Sequence, residues 1–459
     1  MEISGVDRTD PPDRSDRFDR GQKGKRQMTT LEITGDADFQ PVAMRVCAGN
    51  GVAGESDGDK LESVRAILDA VRTRGDEAVA EFTERFDGVR ISPDRFEVTP
   101  EEIEQASAQV DPLLMQSLER AHANIRAYHS KHLRESWEET APDGTILGQR
   151  VAPIATAGVY VPGGKAFYPS SVLMNIAPAR VAGVGEILMV SPPSHHGGIH
   201  PVVLAAAKLA GATRIFRVGG AQAIAALAYG TEHIPAVCKI TGPGNAYVAL
   251  AKRLVNGICD IDTEAGPSEV VVIADDAANP AFVAAELLAQ AEHDEEARAV
   301  LVTPSWDLIA RVEEETAKQA AALPRKAIID RSLAGQGFLV KVRDLDEAIR
   351  LSNWIAPEHL SIQTRDPRAV LDRITNAGAV MLGAYTSVAM GDYFAGPNHI
   401  LPTGRRARYA SPLTAEDFRK VTSIISYSYE RLMRDAADIR RLAEAEQLTA
   451  HANALEVRL

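Results

Sequence analysis

Cysteine is scarce in this sequence. Three residues, Cys47, Cys238 and Cys259, stand far apart and form no CxxC pair. That scarcity excludes a disulfide framework and points to a reducing cytoplasm, and each thiol reads as a buried side chain before it reads as a nucleophile. Long apolar runs are missing as well: nothing approaches the ~20 consecutive residues of a membrane-spanning helix. Excess positive charge is also lacking. The formal charge of -13 argues against nucleic acid or an anionic membrane as the main partner and suits a small-molecule enzyme better. The first 30 residues carry six acidic and seven basic side chains and almost nothing apolar. They lack the apolar centre of a signal peptide and are too acidic for a transit peptide, so a disordered tail is expected there.

What is present is an ordinary globular composition, 45% hydrophobic and 25% charged over 459 residues, enough for two or three domains. Residues 57–140 repeat apolar side chains at helical spacing. From about residue 150 the texture changes. Short β-branched runs, "TAGVYVPGG", "EILMVSPP", "RIFRVGG", "CKITGPG", "SEVVVIAD" and "AVLVTPS", alternate with Gly-containing turns and Ala-rich segments. Strand, turn and helix in that order imply α/β architecture, with doubly wound parallel sheets covered on both faces. The last 45 or so residues read as helical, with an apolar stripe too small for a core of its own. That stripe is expected to pack against something else, such as a second subunit.

Three glycine turns, "VPGGKAF", "RVGGAQAIAAL" and "TGPGNAYVAL", place backbone N–H groups where a phosphate can approach. None is GxGxxG, and taken singly each reads as turn geometry. The loop "SPPSHHGGIHP" offers three histidines but no local carboxylate or thiol, and reads as solvated surface. In "NPAFVAAELLAQAEHD", Pro280 marks a helix start and the helix is apolar almost all round. Gln290 and His293 share one face of it. Alone, the pair reads as a core histidine beside an amide. A metal would need further ligands, for which Asp392 in "AMGDYFAGPNH" is a candidate. "NWIAPEHLSI" ends a helix near Pro357 and leaves Glu358 and His359 in the turn beyond, a carboxylate and an imidazole suited to proton transfer. Glu446 and His451 in "EAEQLTAH" can share a site only if their helix breaks between them.

Together these stretches resemble the histidinol dehydrogenase family. The most specific is "IDTEAGPSEVVVIADDAANPAFVAAELLAQAEHD", and "GVYVPGG", "GGAQAIAALAYGTE", "GPGNAYV", "APEHLSI", "GDYFAGPNHILPT" and "LTAHANA" follow the family's order. The resemblance covers roughly residues 35–459. It implies oxidation of L-histidinol to L-histidine through L-histidinal with two NAD+ in succession, by a homodimer holding one zinc ion per active site. The implied metal ligands are Gln290, His293, Asp392 and, from the partner chain, His451. The same four residues, with Ser268, His359 and Glu446, are the implied substrate contacts. Glu358 and His359 are the implied catalytic pair, and Tyr160, Gln222 and Asn245 the implied NAD contacts. Relatives acting on other small alcohols, such as sulfonated propanediols, are expected to have altered "APEH" and "LTAH" wording. Both are intact here, which favours histidinol over another small polar alcohol. Only "RLVNGICDIDTEAGP", with Cys259, departs from the family's wording, and a local loop difference is expected there.

The implied fold is a pair of incomplete Rossmann-like domains of the aldehyde-dehydrogenase-like type, with helical ends. The expected partition is a tail over 1–30 and a small segment over 31–56. A first α/β domain over 57–159 and 270–413 would carry most metal and catalytic residues. An NAD-binding domain over 160–269 and a helical dimerisation segment over 414–459 complete it.

Overall fold

The computed structural model describes residues 28–48, 57–163, 167–263 and 266–459. Within them, two parallel sheets carry the architecture. The first runs in the order β1 (Thr29–Glu32), β11 (Gly337–Lys341), β10 (Arg298–Thr303), β9 (Glu269–Ala274), β12 (His359–Gln363), β13 (Ala379–Leu382). The second runs β6 (Arg214–Phe216), β5 (Glu186–Val190), β4 (Thr156–Tyr160), β7 (Lys239–Thr241), β8 (Asp260–Ile261). Leaving β1 aside, both follow one plan: the earliest strand is central, two later strands grow to one side, and the last two grow to the other. The direction reverses between β9 and β12 in one sheet and between β4 and β7 in the other. Such switch points open the crevices that hold ligands in doubly wound folds.

The strands are short and buried because both faces are covered. Every residue of β9, "EVVVIA", is buried. Its side chains alternate between two cores: Val270 and Val272 meet the helix Pro280–Ala291, while Val271 and Ile273 meet the helix Leu345–Ile355. In the second sheet Ala157 and Val159 pack on the helix Pro169–Ala182, and Leu188 and Val190 face the helix Gly220–Tyr229.

Several expectations need correction. The N-terminal helices do not join residues 270–413. Helices Asp57–Arg74 and Asp76–Asp87 lie on Gly220–Tyr229, Pro100–Ala108 lies on Pro201–Ala210, and Pro112–His129 lies on Pro169–Ala182. The Ala-rich helices of the second sheet leave smooth outer faces, and stripes such as Val64, Ile67, Leu68 and Val71 cover them. The expected tail lies outside the described residues up to residue 27. Met28, however, is buried, and Thr29 and Thr30 pair with Phe338 and Leu339 in β1. The region before residue 160 is not wholly helical, and the C-terminal segment opens with a strand. β14 (Arg419–Ser426), β3 (Ile146–Pro153) and β2 (Trp137–Thr140) form a third, antiparallel sheet. Cys259 is buried and leads into β8, whereas Cys238 is exposed, with Thr156 Oγ1 donating to its sulfur at 3.5 Å.

The C-terminal helices Tyr429–Ala445 and Thr449–Glu456 pack mainly on each other. They leave Tyr429, Met433, Leu442, Leu448 and Val457 exposed, and β14 adds exposed Val421 and Ile425. No helix among the described residues is long and apolar enough to cross a membrane.

Candidate active site

The catalytic candidates gather at the amino ends of β9 and β12, the edge of the first sheet opposite its carboxyl-end crevice. Helix Leu345–Ile355 ends when Ala356 adopts a left-handed conformation, φ 51°, and the chain turns at once into β12. His359 is therefore the first residue of a central strand, not part of a loop as its sequence context suggested. It is 4% exposed and Glu358 6%. The Nδ1 of His359 donates to the Glu269 carbonyl at 3.2 Å, which leaves Nε2 as the basic nitrogen of the neutral ring. Glu358 accepts a 2.7 Å hydrogen bond from the Glu269 backbone N–H, and its Oε2 lies 3.5 Å from His359 Nδ1.

On its far side His359 Nε2 faces Asp392 Oδ1 at 3.4 Å. Burial disfavours the imidazolium, but the charges of Glu358 and Asp392 outweigh it and lift the His359 pKa to about 10. For Asp392, burial pushes the pKa up, but the hydrogen bond and charge of His359, helped by His399 and His293, prevail and hold it below the usual carboxylate range. Asp392 sits on the short helix Val388–Tyr393, whose first N–H, that of Val388, is accepted by buried Glu286 at 3.0 Å.

One turn beyond Glu286, Gln290 is 1% exposed, and neither atom of its carboxamide has a hydrogen-bond partner among the described residues. An unpaired buried amide is rare in a stable core. His293 is not on the same helix, which ends at Ala291. It lies exposed in the following turn, its N–H bonded to the Gln290 carbonyl at 3.2 Å. Gln290, His293 and Asp392 thus offer an amide, an imidazole and a carboxylate, with the amide unpartnered among the described residues. That donor set fits zinc or a similar divalent ion. Ser268, half-buried, immediately precedes Glu269 at the start of β9.

The three glycine turns follow β4, β6 and β7, all at carboxyl ends of the second sheet. Tyr160 closes β4. Its hydroxyl accepts the Gly220 N–H at 3.2 Å, and burial pushes its pKa up to about 12. Gln222 is 0% exposed with both carboxamide atoms unpaired, like Gln290. Asn245 is exposed and caps helix Ala246–Val255, accepting from the Tyr247 and Val248 N–H groups at 3.1 Å each. Tyr160 and Asn245 thus flank the β4–β7 switch point. The two halves meet through residues 398 and 399: Asn398 donates to the Met174 carbonyl at 2.7 Å, while His399 lies between Ser171 and the Asp392 carbonyl at 3.4 and 2.9 Å.

The family model described as histidinol dehydrogenase matches residues 53–459. The chain belongs to the histidinol dehydrogenase family. It is 51% identical over 403 residues to the histidinol dehydrogenase of Heliobacterium mobile, covering 88% of this chain and 94% of that one. It is 52% identical over 397 residues to that of Aquifex aeolicus, covering 86% and 92%. The crystal structure of histidinol dehydrogenase from Elizabethkingia anophelis superposes with a TM-score of 0.88 at 33% identity, over 95% of this chain and 98% of that one.

Two of the residues that the histidinol dehydrogenase resemblance implied stand apart. Glu446 and His451 are exposed, and neither side chain makes a hydrogen bond or ion pair among the described residues. The helix does break between them: it ends at Ala445, Gln447 adopts φ 59°, and a new helix starts at Thr449. Residues that sequence reasoning missed are those that brace the pair. Glu269 supplies its backbone to both Glu358 and His359, while its buried carboxylate meets Arg298 at 3.2 Å and the Gly404 N–H at 3.3 Å. Glu269 was visible only as one acid in a strand motif, with nothing local to mark it. A second metal-capable group, Asp76, Glu232 and His233, lies where helix Asp76–Asp87 meets the loop after helix Gly220–Tyr229. There Asp76 Oδ2 pairs with His233 Nδ1 at 2.7 Å and ties a loop to helix Asp76–Asp87. The loop histidines are not plain surface either: His200 stacks on Phe167 with ring centroids 3.8 Å apart.

Proposed function

We propose that this chain oxidises L-histidinol to L-histidine through L-histidinal, using two NAD+, with one zinc ion per site, as a cytoplasmic homodimer. The observation that carries this reading is the His359 cluster. A buried imidazole with Nδ1 committed to a carbonyl points Nε2 toward Asp392, and the buried Gln290 amide has no hydrogen-bond partner among the described residues. Gln290, His293 and Asp392, with His451 of a second subunit, would hold the zinc. Tyr160, Gln222 and Asn245, at the ends of the second sheet's strands, would hold the dinucleotide. When bound, the metal supplies a fixed charge that orients the substrate imidazole and amine, and NAD+ accepts hydride.

His359 takes the hydroxyl proton as the carbinol C–H bond breaks, giving the aldehyde. Glu358 then draws a proton from water as its oxygen adds to the carbonyl carbon. His359 serves again when the hydrate loses its second hydride, and the carboxylate results. The sum is alcohol, water and two NAD+ giving carboxylate, two NADH and three protons. Ser268 and Glu446 hold the substrate's polar groups during both steps. Purified protein should form two NADH per histidinol consumed. Chelation should abolish turnover, and zinc should restore it. One NADH per histidinol, or faster turnover of a sulfonated propanediol than of histidinol, would overturn the proposal.

A further inference from the structure

Lys252 is 1% exposed, which is rare for a lysine, and its ammonium forms an ion pair with Asp262, whose side chain is 2% exposed. Neither residue belongs to the reading above. Burying two charges costs several kcal/mol per ion before attraction returns it, and apolar replacements are often as stable. A pair kept there therefore calls for another role, and its contacts suggest one. Lys252 Nζ donates to the Gly242 carbonyl at 2.9 Å, and Asp262 accepts the Gly242 N–H at 2.7 Å. Both backbone polar groups of one glycine are held by the two charges. Gly242 has φ 114°, and a Cβ there would meet the Tyr160 carbonyl at 2.0 Å. It lies three residues before Asn245, at the β4–β7 switch point. Asp262 also accepts the Thr263 N–H at 2.7 Å, at the start of the segment leading to Ser268.

We infer that Lys252 and Asp262 are positioning residues: a buried clamp that holds the Gly242 turn against Tyr160, so that the dinucleotide meets a cradle already shaped for it. This rests on the proposed NAD+ site. The clamp acts before binding, so its loss removes pre-organisation and weakens dinucleotide affinity without touching the reacting groups.

The test pairs Lys252→Met with Asp262→Asn in one chain, so that no charge is left buried alone, and compares it with the parent, zinc-loaded. The expected result is a KM and a calorimetric Kd for NAD+ raised about tenfold or more, with kcat at saturating NAD+ and KM for histidinol each within about twofold. A merely structural pair would lower the melting temperature and active fraction but leave the Kd of the folded protein unchanged, and that result overturns the inference. Hydrogen exchange on the parent serves even if the variant does not fold. The Gly242 and Thr263 amides should be protected before NAD+ is added, and protection appearing only with NAD+ also overturns it. A parent that binds no NAD+ at all would instead sink the functional proposal.

Discussion

Gln290 sets two demands against each other at a single residue. As a buried amide with no partner it weakens the metal-free protein, since an unsatisfied buried polar group costs about 1–3 kcal/mol. As a ligand of the proposed zinc ion it would be indispensable. Gln290→Leu, of similar volume, should therefore raise the melting temperature of the metal-free protein while metal analysis shows zinc retention lost. A loss of stability on that substitution would mean the amide has a partner after all. His359 and Glu358 follow proton-transfer logic, and His359→Asn or Glu358→Gln should each lower kcat by roughly 10²–10⁴-fold. The pH profile has a definite sign. With the His359 pKa near 10, the neutral base is the minor form at lower pH, so turnover should rise with pH toward that value. Glu358→Gln removes a charge that favours the imidazolium, so the rising limb of its residual activity should shift to lower pH. An unmoved limb would show that another group sets it.

Elements explain what the sequence revealed and what it hid. β4, β5, β6, β7, β9 and β10 were legible because each is an apolar, β-branched run closed by a turn. β12 was not: "HLSIQ" starts with His359 directly after a Pro-Glu turn, so no periodicity marks its beginning. β3 and β14 escaped because much of each is exposed, leaving no alternation to read. His293 was placed on a helix that stops two residues earlier, a boundary that apolar spacing cannot resolve. The pairing of β12 with β13 yields a further prediction. Gly378 lies against the Glu358 carbonyl, where a Cβ would come within 2.6 Å. Gly378→Ala should cost about 1–3 kcal/mol in chemical denaturation and should also lower kcat, because the strand end that fixes Glu358 must move. A stability loss with kcat intact would separate packing from catalysis there.

At the scale of the molecule, β14 and the C-terminal helices leave Val421, Ile425, Tyr429, Met433, Leu442, Leu448 and Val457 exposed, and apolar side chains exposed together mark interaction surfaces. A second subunit covering them would also bring Glu446 and His451 to a neighbouring site. Mixing two inactive variants, His293→Asn and His451→Asn, then has a defined outcome. After subunit exchange, each mixed dimer holds one site with both histidines intact, so activity should reappear at about a quarter of the parent's. Continued inactivity would place His451 in its own chain's site. Domain membership was the least legible feature at this scale. Helical periodicity in residues 57–129 reveals an apolar stripe but not which sheet it will cover.

The two sheets also differ in how far their partners lie apart along the chain. The second is complete within residues 156–261, whereas β1 closes the edge of the first by pairing Thr29 with Phe338. During synthesis the second sheet can form while the rest is still being made, but β1 must wait for β11, because distant contacts form late. Pulsed hydrogen exchange during refolding should find β4 and β5 protected before β1. The ribosome would thus complete the contiguous sheet first, and the sheet that carries His359 would be sealed by the earliest strand of the fold.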